Sequence, residues 1–187
     1  MRFKLMDKLT LDTNILRDWA WAEKRTTEIR YINDPTKRET LIKQFIELSK
    51  LRNQGICELG ISTQIFTDYE KSIKELPQYI EDMIGPYVTF ATPSISKFPM
   101  IIPFVLINKA KIDEILLDVF PNAKPDDRKY ESKKKDAYQL YAHLVAKIDI
   151  FLTSDKRILE ANKILSIKWM IQVKTLEEYL YQNLRHK

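Results

Sequence analysis

The stretch LTLDTNIL (9–16) runs from an apolar strand pattern straight into a carboxylate. "KLTLD" (8–12) reads as a short buried strand, and its last residue, Asp12, brings a charge to a place where burial penalises one. In an open parallel sheet, ligands gather outside the carboxyl ends of the strands. Whether Asp12 has work to do there depends on whether other strands deliver acids to the same edge.

Further along, the pattern alternates between the two element types. "NDPTKRETLIKQFIELSKL" (33–51) is an amphipathic helix with Asp34 as N-cap, Pro35 at the first helical position, and Leu41, Phe45 and Leu48 on one face. Gly55 stops it, "ICELGIS" (56–62) is a second strand, and Ser62 can cap the helix "TQIFTDYEKSIKEL" (63–76). Half of the chain's prolines, Pro86, Pro93, Pro99 and Pro103, fall in one stretch, so 86–105 reads as an irregular connection or insertion with an edge strand in "MIIPFVLI" (100–107). Then come a helix over 108–120, a polar loop, a helix over roughly 133–147, the strand "DIFLT" (149–153), a short helix from Lys156, the strand "IKWMIQV" (167–173), and a last helix capped by Thr175. Strands alternating with helices, with no internal repeat and no linker, predict one α/β domain, 1–187, around a mainly parallel sheet.

Scarcity narrows the chemistry. The three glycines, Gly55, Gly60 and Gly85, cannot spell a glycine-rich phosphate cradle. One cysteine, Cys57, and two histidines, His143 and His186, exclude zinc sites of the paired-cysteine or two-histidine-helix type. The lone cysteine fits a reducing cytoplasm, no run is apolar enough for a membrane span, and the N-terminus lacks the pattern of a secretory signal. A net charge of +5 and a pI near 9.1 favour an anionic partner. Carboxylates and a hard metal ion are the equipment that remains.

Asp12 ends the first strand and Asp155 follows "DIFLTS"; Asp136 sits in the first turn of the helix that precedes that strand. Asp68 lies about two turns into the helix after "ICELGIS", with Glu70 on the other flank of its apolar stripe, and periodicity does not choose between them. Carboxylates converging in one cleft repel at low dielectric, and a divalent cation with oxygen preference, Mg²⁺ or Mn²⁺, relieves the conflict. Such an ion activates water and neutralises charge on a scissile phosphate.

"LTLDTNIL", "ISTQIFTDYEKSI" (61–73) and "KKKDAYQLYAHLVAKIDIFLTSDKRIL" (133–159) resemble the three signature regions of PIN-domain nucleases. The strand-end aspartate with its hydroxyl residue and asparagine matches Asp12-Thr13-Asn14; the helix acid after the second strand aligns with Asp68, where a glutamate is commoner. The later pair matches Asp136 and Asp155, with Thr153 and Ser154 in the family's "TSD". The resemblance implies a three-layer α/β/α PIN-like fold and a Mg²⁺- or Mn²⁺-dependent endoribonuclease. Asp12, Asp136 and Asp155 would hold the metal, Asp68 would complete the catalytic set, and Asn14, Thr153 and Ser154 would support it. RNA is then the substrate, and toxin members of the family add an antitoxin partner and a homodimer. Segments 17–33 and 86–103 have no counterpart in a minimal PIN toxin.

Each acid also has a plainer reading. Asp12 and Asp155 can cap the helices that follow them, and Asp136 can complement a helix dipole. Lys133, Lys134 and Lys135 read as a solvated face. Trp19 and Trp21, with Lys24 and Arg25 nearby, read as packing more readily than as base-stacking residues. His143 reads as a helix-surface residue and Cys57 as core. Two other functions compete with the nuclease: a PIN-like module that binds RNA or a protein without cleaving, and a phosphoryl-accepting domain, against which the missing D-x-D at "DTN" speaks.

Overall fold

The computed structural model describes residues 6–22, 34–62, 88–90 and 108–184. Within them the strands are β1 (Asp7–Leu11), β2 (Cys57–Ser62), β3 (Val88–Phe90), β4 (Ile150–Leu152) and β5 (Gln172–Lys174). They form one all-parallel sheet in the order β3-β2-β1-β4-β5. The helices are α1 (Thr13–Ala22), α2 (Pro35–Asn53), α3 (Lys109–Val119), α4 (Tyr130–Ala146), α5 (Lys156–Glu160), α6 (Asn162–Lys168) and α7 (Leu176–Leu184).

Strand alternation decides which residues meet which helices. Leu9 and Leu11 of β1, Leu59 and Ile61 of β2, and Ile150 and Leu152 of β4 join one core with α1, α2 and α7. Phe151 of β4 and Val173 of β5 point the other way, into a second core with α3, α4, α5 and α6. Helices thus cover both faces, the three-layer α/β/α arrangement expected from the alternating pattern. Trp19 is buried and stacked on Phe45 with centroids 4.3 Å apart, locking α1 to α2; a fully buried aromatic of this size contributes about 2–3 kcal/mol. It is packing, not a stacking platform. Cys57 lies in the same core.

The local signals behave as their chemistry demands. Asp34 accepts from the Lys37 N–H at 2.9 Å with Pro35 opening α2, and Gly55 takes φ +69° just after the helix, a conformation a Cβ disfavours. Thr175 caps α7 reciprocally: its hydroxyl accepts from Glu178 N–H at 3.1 Å, and Glu178 accepts from Thr175 N–H at 2.8 Å.

Three boundaries differ from expectation. Helix α4 begins at Tyr130, not near 133, so Asp136 stands in its second turn, beyond the reach of a simple dipole role. In "IKWMIQV" only the end is strand: Ile167 and Lys168 finish α6, and Met170 turns the chain at φ 58° into β5. The apolar run reads as a strand because Trp169 and Ile171 are buried, yet burial at a helix end gives the same composition. Within the proline-bearing stretch, residues 88–90 are an edge strand of the sheet, paired with β2 from Gly60 to Ser62. The helix expected over 63–76, with Asp68 and Glu70, lies outside the described residues, as do the strand expected at 100–107 and Lys24 and Arg25.

No helix of the described residues is long and apolar enough to cross a membrane.

Candidate functional site

The strand order reverses at β1. From β1 the chain moves outward through β2 to β3, then crosses back to β4 on β1's other side. The crevice at the carboxyl ends of β1 and β4 is therefore the topological switch point, where parallel sheets bind ligands. Asp12 follows β1, and Thr153-Ser154-Asp155 follow β4.

Asp12 opens α1 from the N-cap position and is tied across to β4 by its N–H, which donates to Leu152 O at 3.0 Å. Only 2 % of its surface is exposed. Thr153 Oγ1 donates to Asp12 Oδ2 at 2.6 Å, and Asn14 Nδ2 donates to the same oxygen at 3.3 Å. The Thr153 hydroxyl in turn accepts from Asp155 N–H at 3.0 Å, so one buried hydroxyl links the two strand-end acids. Burial pushes the Asp12 carboxyl up to about 6; the bonds from Thr153, the Thr13 backbone and Asn14 pull against that rise, and the Asp155 charge adds to it. Burial and the neighbouring Asp155 charge both work against an ionised Asp12. Desolvation and a like charge are the causes a cation would offset.

Asp155 does cap α5, accepting from Arg157 N–H through Oδ1 at 2.8 Å. Capping and site roles are compatible, because a carboxylate has two oxygens.

On the facing layer, α4 reaches β1 through a ladder of polar contacts. His143 Nδ1 lies 2.7 Å from Thr10 Oγ1, and Gln139, one turn nearer the helix start, donates to Thr13 Oγ1 at 2.9 Å. Asp136 is a further turn along the same face, toward the carboxyl edge of the sheet. His143 is therefore not a surface residue: it is 1 % exposed, edge-on to Phe151, and its ring is held neutral, with desolvation lowering its pKa to about 4. Among the described residues, Gln139 Oε1 and His143 Nε2 are buried without hydrogen-bond partners. The expected lysine run is also partly engaged: Lys133 pairs with Asp127, and Lys134 lies over the Tyr130 ring at 5.9 Å.

Sequence reasoning missed Asp18. It lies one turn after Asn14, is 8 % exposed, and accepts a hydrogen bond from Ser154. Burial raises its pKa, while Ser154, Lys37 and Arg17 counter the rise. The i, i+4 spacing of Asn14 and Asp18 was the available signal; adjacent Trp19 drew the reading toward packing instead.

The described residues thus bring Asp12, Asn14, Thr153, Ser154 and Asp155 to one crevice, add Asp18, and set Asp136 on the facing helix. Asp68 is outside the described residues. Among the described residues no group of three or more His, Cys, Asp or Glu side chains is arranged to hold a metal ion by itself. Mg²⁺ is commonly held by one or two carboxylates with water and substrate oxygens, so the Asp12 and Asp155 pair fits such an ion. No family model matches the chain, and no curated protein matches it.

Proposed function

We propose that this protein is a PIN-like, Mg²⁺- or Mn²⁺-dependent endoribonuclease acting at the β1/β4 crevice. The observation that carries the reading is the Thr153 hydroxyl at the switch point of a parallel sheet, which donates to the Asp12 carboxylate and accepts from the backbone N–H of the second strand-end acid, Asp155. Asp12 and Asp155 would hold the ion with Asp136 facing them, Thr153 and Asn14 would fix the Asp12 carboxylate, and Asp68 would complete the set. When bound, the ion supplies an activated water and neutralises charge on the scissile phosphate. A chain of net charge +5 suits a polyanionic substrate.

The test is release of fragments from labelled single-stranded RNA with Mn²⁺ or Mg²⁺, comparing wild type with Asp12→Asn and with chelator. Cleavage by wild type that is lost in the variant and in chelator is expected. Equal cleavage by both proteins overturns the assignment. Binding of RNA by a wild type that never cuts it assigns the protein to the non-cleaving class instead.

A further inference from the structure

A cavity of about 430 Å³, within the roughly 300–1,000 Å³ range of small-ligand sites, is lined between the end of α3, the first turn of α4 and α5. Buried Val119 and Phe120 at the end of α3 supply its apolar lining, with the turn Pro121-Asn122 after them and Arg157 and Glu160 of α5 also on the wall. Two wall residues connect it to the candidate site. Lys133 precedes Asp136 by one helical turn, and Arg157 donates its backbone N–H to Asp155. Arg157 is exposed, its guanidinium resting over the Phe120 ring at 5.9 Å.

The other charges on the wall are largely spoken for. Asp118 Oδ2 accepts from Trp169 Nε1 and from Lys168 Nζ, both at 2.7 Å, and Lys133 pairs with Asp127. Glu160, one turn past Arg157, is exposed on the same wall.

We infer that this cavity is the subsite for the nucleotide next to the scissile phosphate, with Arg157 receiving its phosphate and the apolar lining receiving its base. The inference rests on the ribonuclease reading and deepens it. An arginine fork matches phosphate oxygens bidentately, and an aromatic ring beneath it holds the fork in place. A single strand is recognised by this combination of backbone charge and an apolar platform.

The experiment measures binding of a short 5′-phosphorylated single-stranded RNA to full-length protein carrying Asp12→Asn, so that cleavage does not interfere. Arg157→Ala is compared with Arg157→Lys and with Lys163→Ala, an exposed lysine of α6 outside the cavity wall; circular dichroism checks that each folds. Arg157→Ala should raise Kd about tenfold and lower the salt dependence by about one phosphate contact, Arg157→Lys should recover part of the loss, and Lys163→Ala should change Kd less than about twofold. Equal shifts for Arg157→Ala and Lys163→Ala overturn the subsite, even if wild type cleaves RNA. Conversely, an Arg157-dependent Kd in a protein whose wild type never cleaves retains the binding site and removes the nuclease.

Discussion

His143 Nδ1 and Thr10 Oγ1 meet at 2.7 Å across 133 residues of chain, and that contact sets the height of α4 above β1. Gln139 and Thr13 repeat the contact one turn nearer the carboxyl edge. Two polar rungs on one helix face fix both rotation and register, which apolar packing alone specifies less sharply. Asp136 inherits its position from them. The ring must stay neutral to serve, since among the described residues Nε2 meets no acceptor and the Phe151 ring stands edge to face with it.

A pH dependence follows from His143. Its folded pKa, about 4, lies below the ordinary value of 6.5. Between these values the unfolded chain binds a proton that the folded chain refuses, so stability is fully present above about pH 6.5 and is lost as pH falls toward 4. The loss is on the order of 3 kcal/mol. His143→Gln, which keeps a side chain able to reach Thr10, should remove this contribution and so leave a stability that falls as pH rises from 4 to 6; urea unfolding from pH 4 to 7 checks it. A variant whose stability follows the wild-type pH profile would discard His143 as a contributor.

Asp12 produces the opposite slope over nearly the same window. Its folded pKa is raised from 3.8 to about 6, so the folded chain holds a proton that the unfolded chain has released. That contribution is present below pH 3.8 and is lost as pH rises through 6. Asp12→Asn should therefore stabilise the protein at pH 7, by up to about 3 kcal/mol less what its altered hydrogen bonds cost, and the gain should vanish below pH 4. Divalent cation should raise the Tm of wild type and leave the variant unmoved. Because the two slopes oppose, wild-type stability should vary little between pH 4 and 6, and each variant should unmask the other group. Thermal melts across that range, with and without Mn²⁺, decide it.

The fold was legible because its signals are local. Caps at Asp34 and Thr175, the stop at Gly55 and the alternation of Leu9, Thr10 and Leu11 are each written within a few residues. Asp12 and Asp155 were legible for a related reason: each follows a strand, and parallel strands finish at one edge. What escaped depends on contacts distant in sequence. Nothing within α4 says that His143 is buried, because the residues it meets, Thr10 and Phe151, are in other elements. Asp18 was obscure because its partner Ser154 lies across the crevice. The extent of β5 was misjudged because Trp169 and Ile171 are buried by tertiary packing, which imitates a strand's composition.

Thr153 can be tested by paired substitutions. Thr153→Val keeps the shape but removes the hydroxyl that donates to Asp12 and accepts from Asp155 N–H. Losing the donor should raise the Asp12 pKa further, and the unmet buried groups should cost about 1–3 kcal/mol at neutral pH. Thr153→Ser should restore most of both. Under the proposed activity, the rising limb of the pH–rate profile should move to higher pH in Thr153→Val alone. A profile that stays put would separate Thr153 from the ionisation of Asp12.

Asp18 distinguishes a site residue from a merely buried acid. Its carboxylate accepts from Ser154, in the turn that carries Thr153 and Asp155, so it steadies the strand end from the α1 side. Removing its charge lowers the negative potential in the crevice while leaving Asp12 and Asp155 in place. Asp18→Asn should therefore raise the Mn²⁺ concentration for half-maximal cleavage about tenfold, the scale seen when a group supporting metal ligands is changed, with kcat at saturating Mn²⁺ largely retained. Its burial also makes a modest rise in stability at pH 7 expected, since a desolvated carboxylate is removed. If Mn²⁺ dependence is unchanged while stability rises, Asp18 is a structural acid, and the metal-supporting set ends at Thr153 and Asn14.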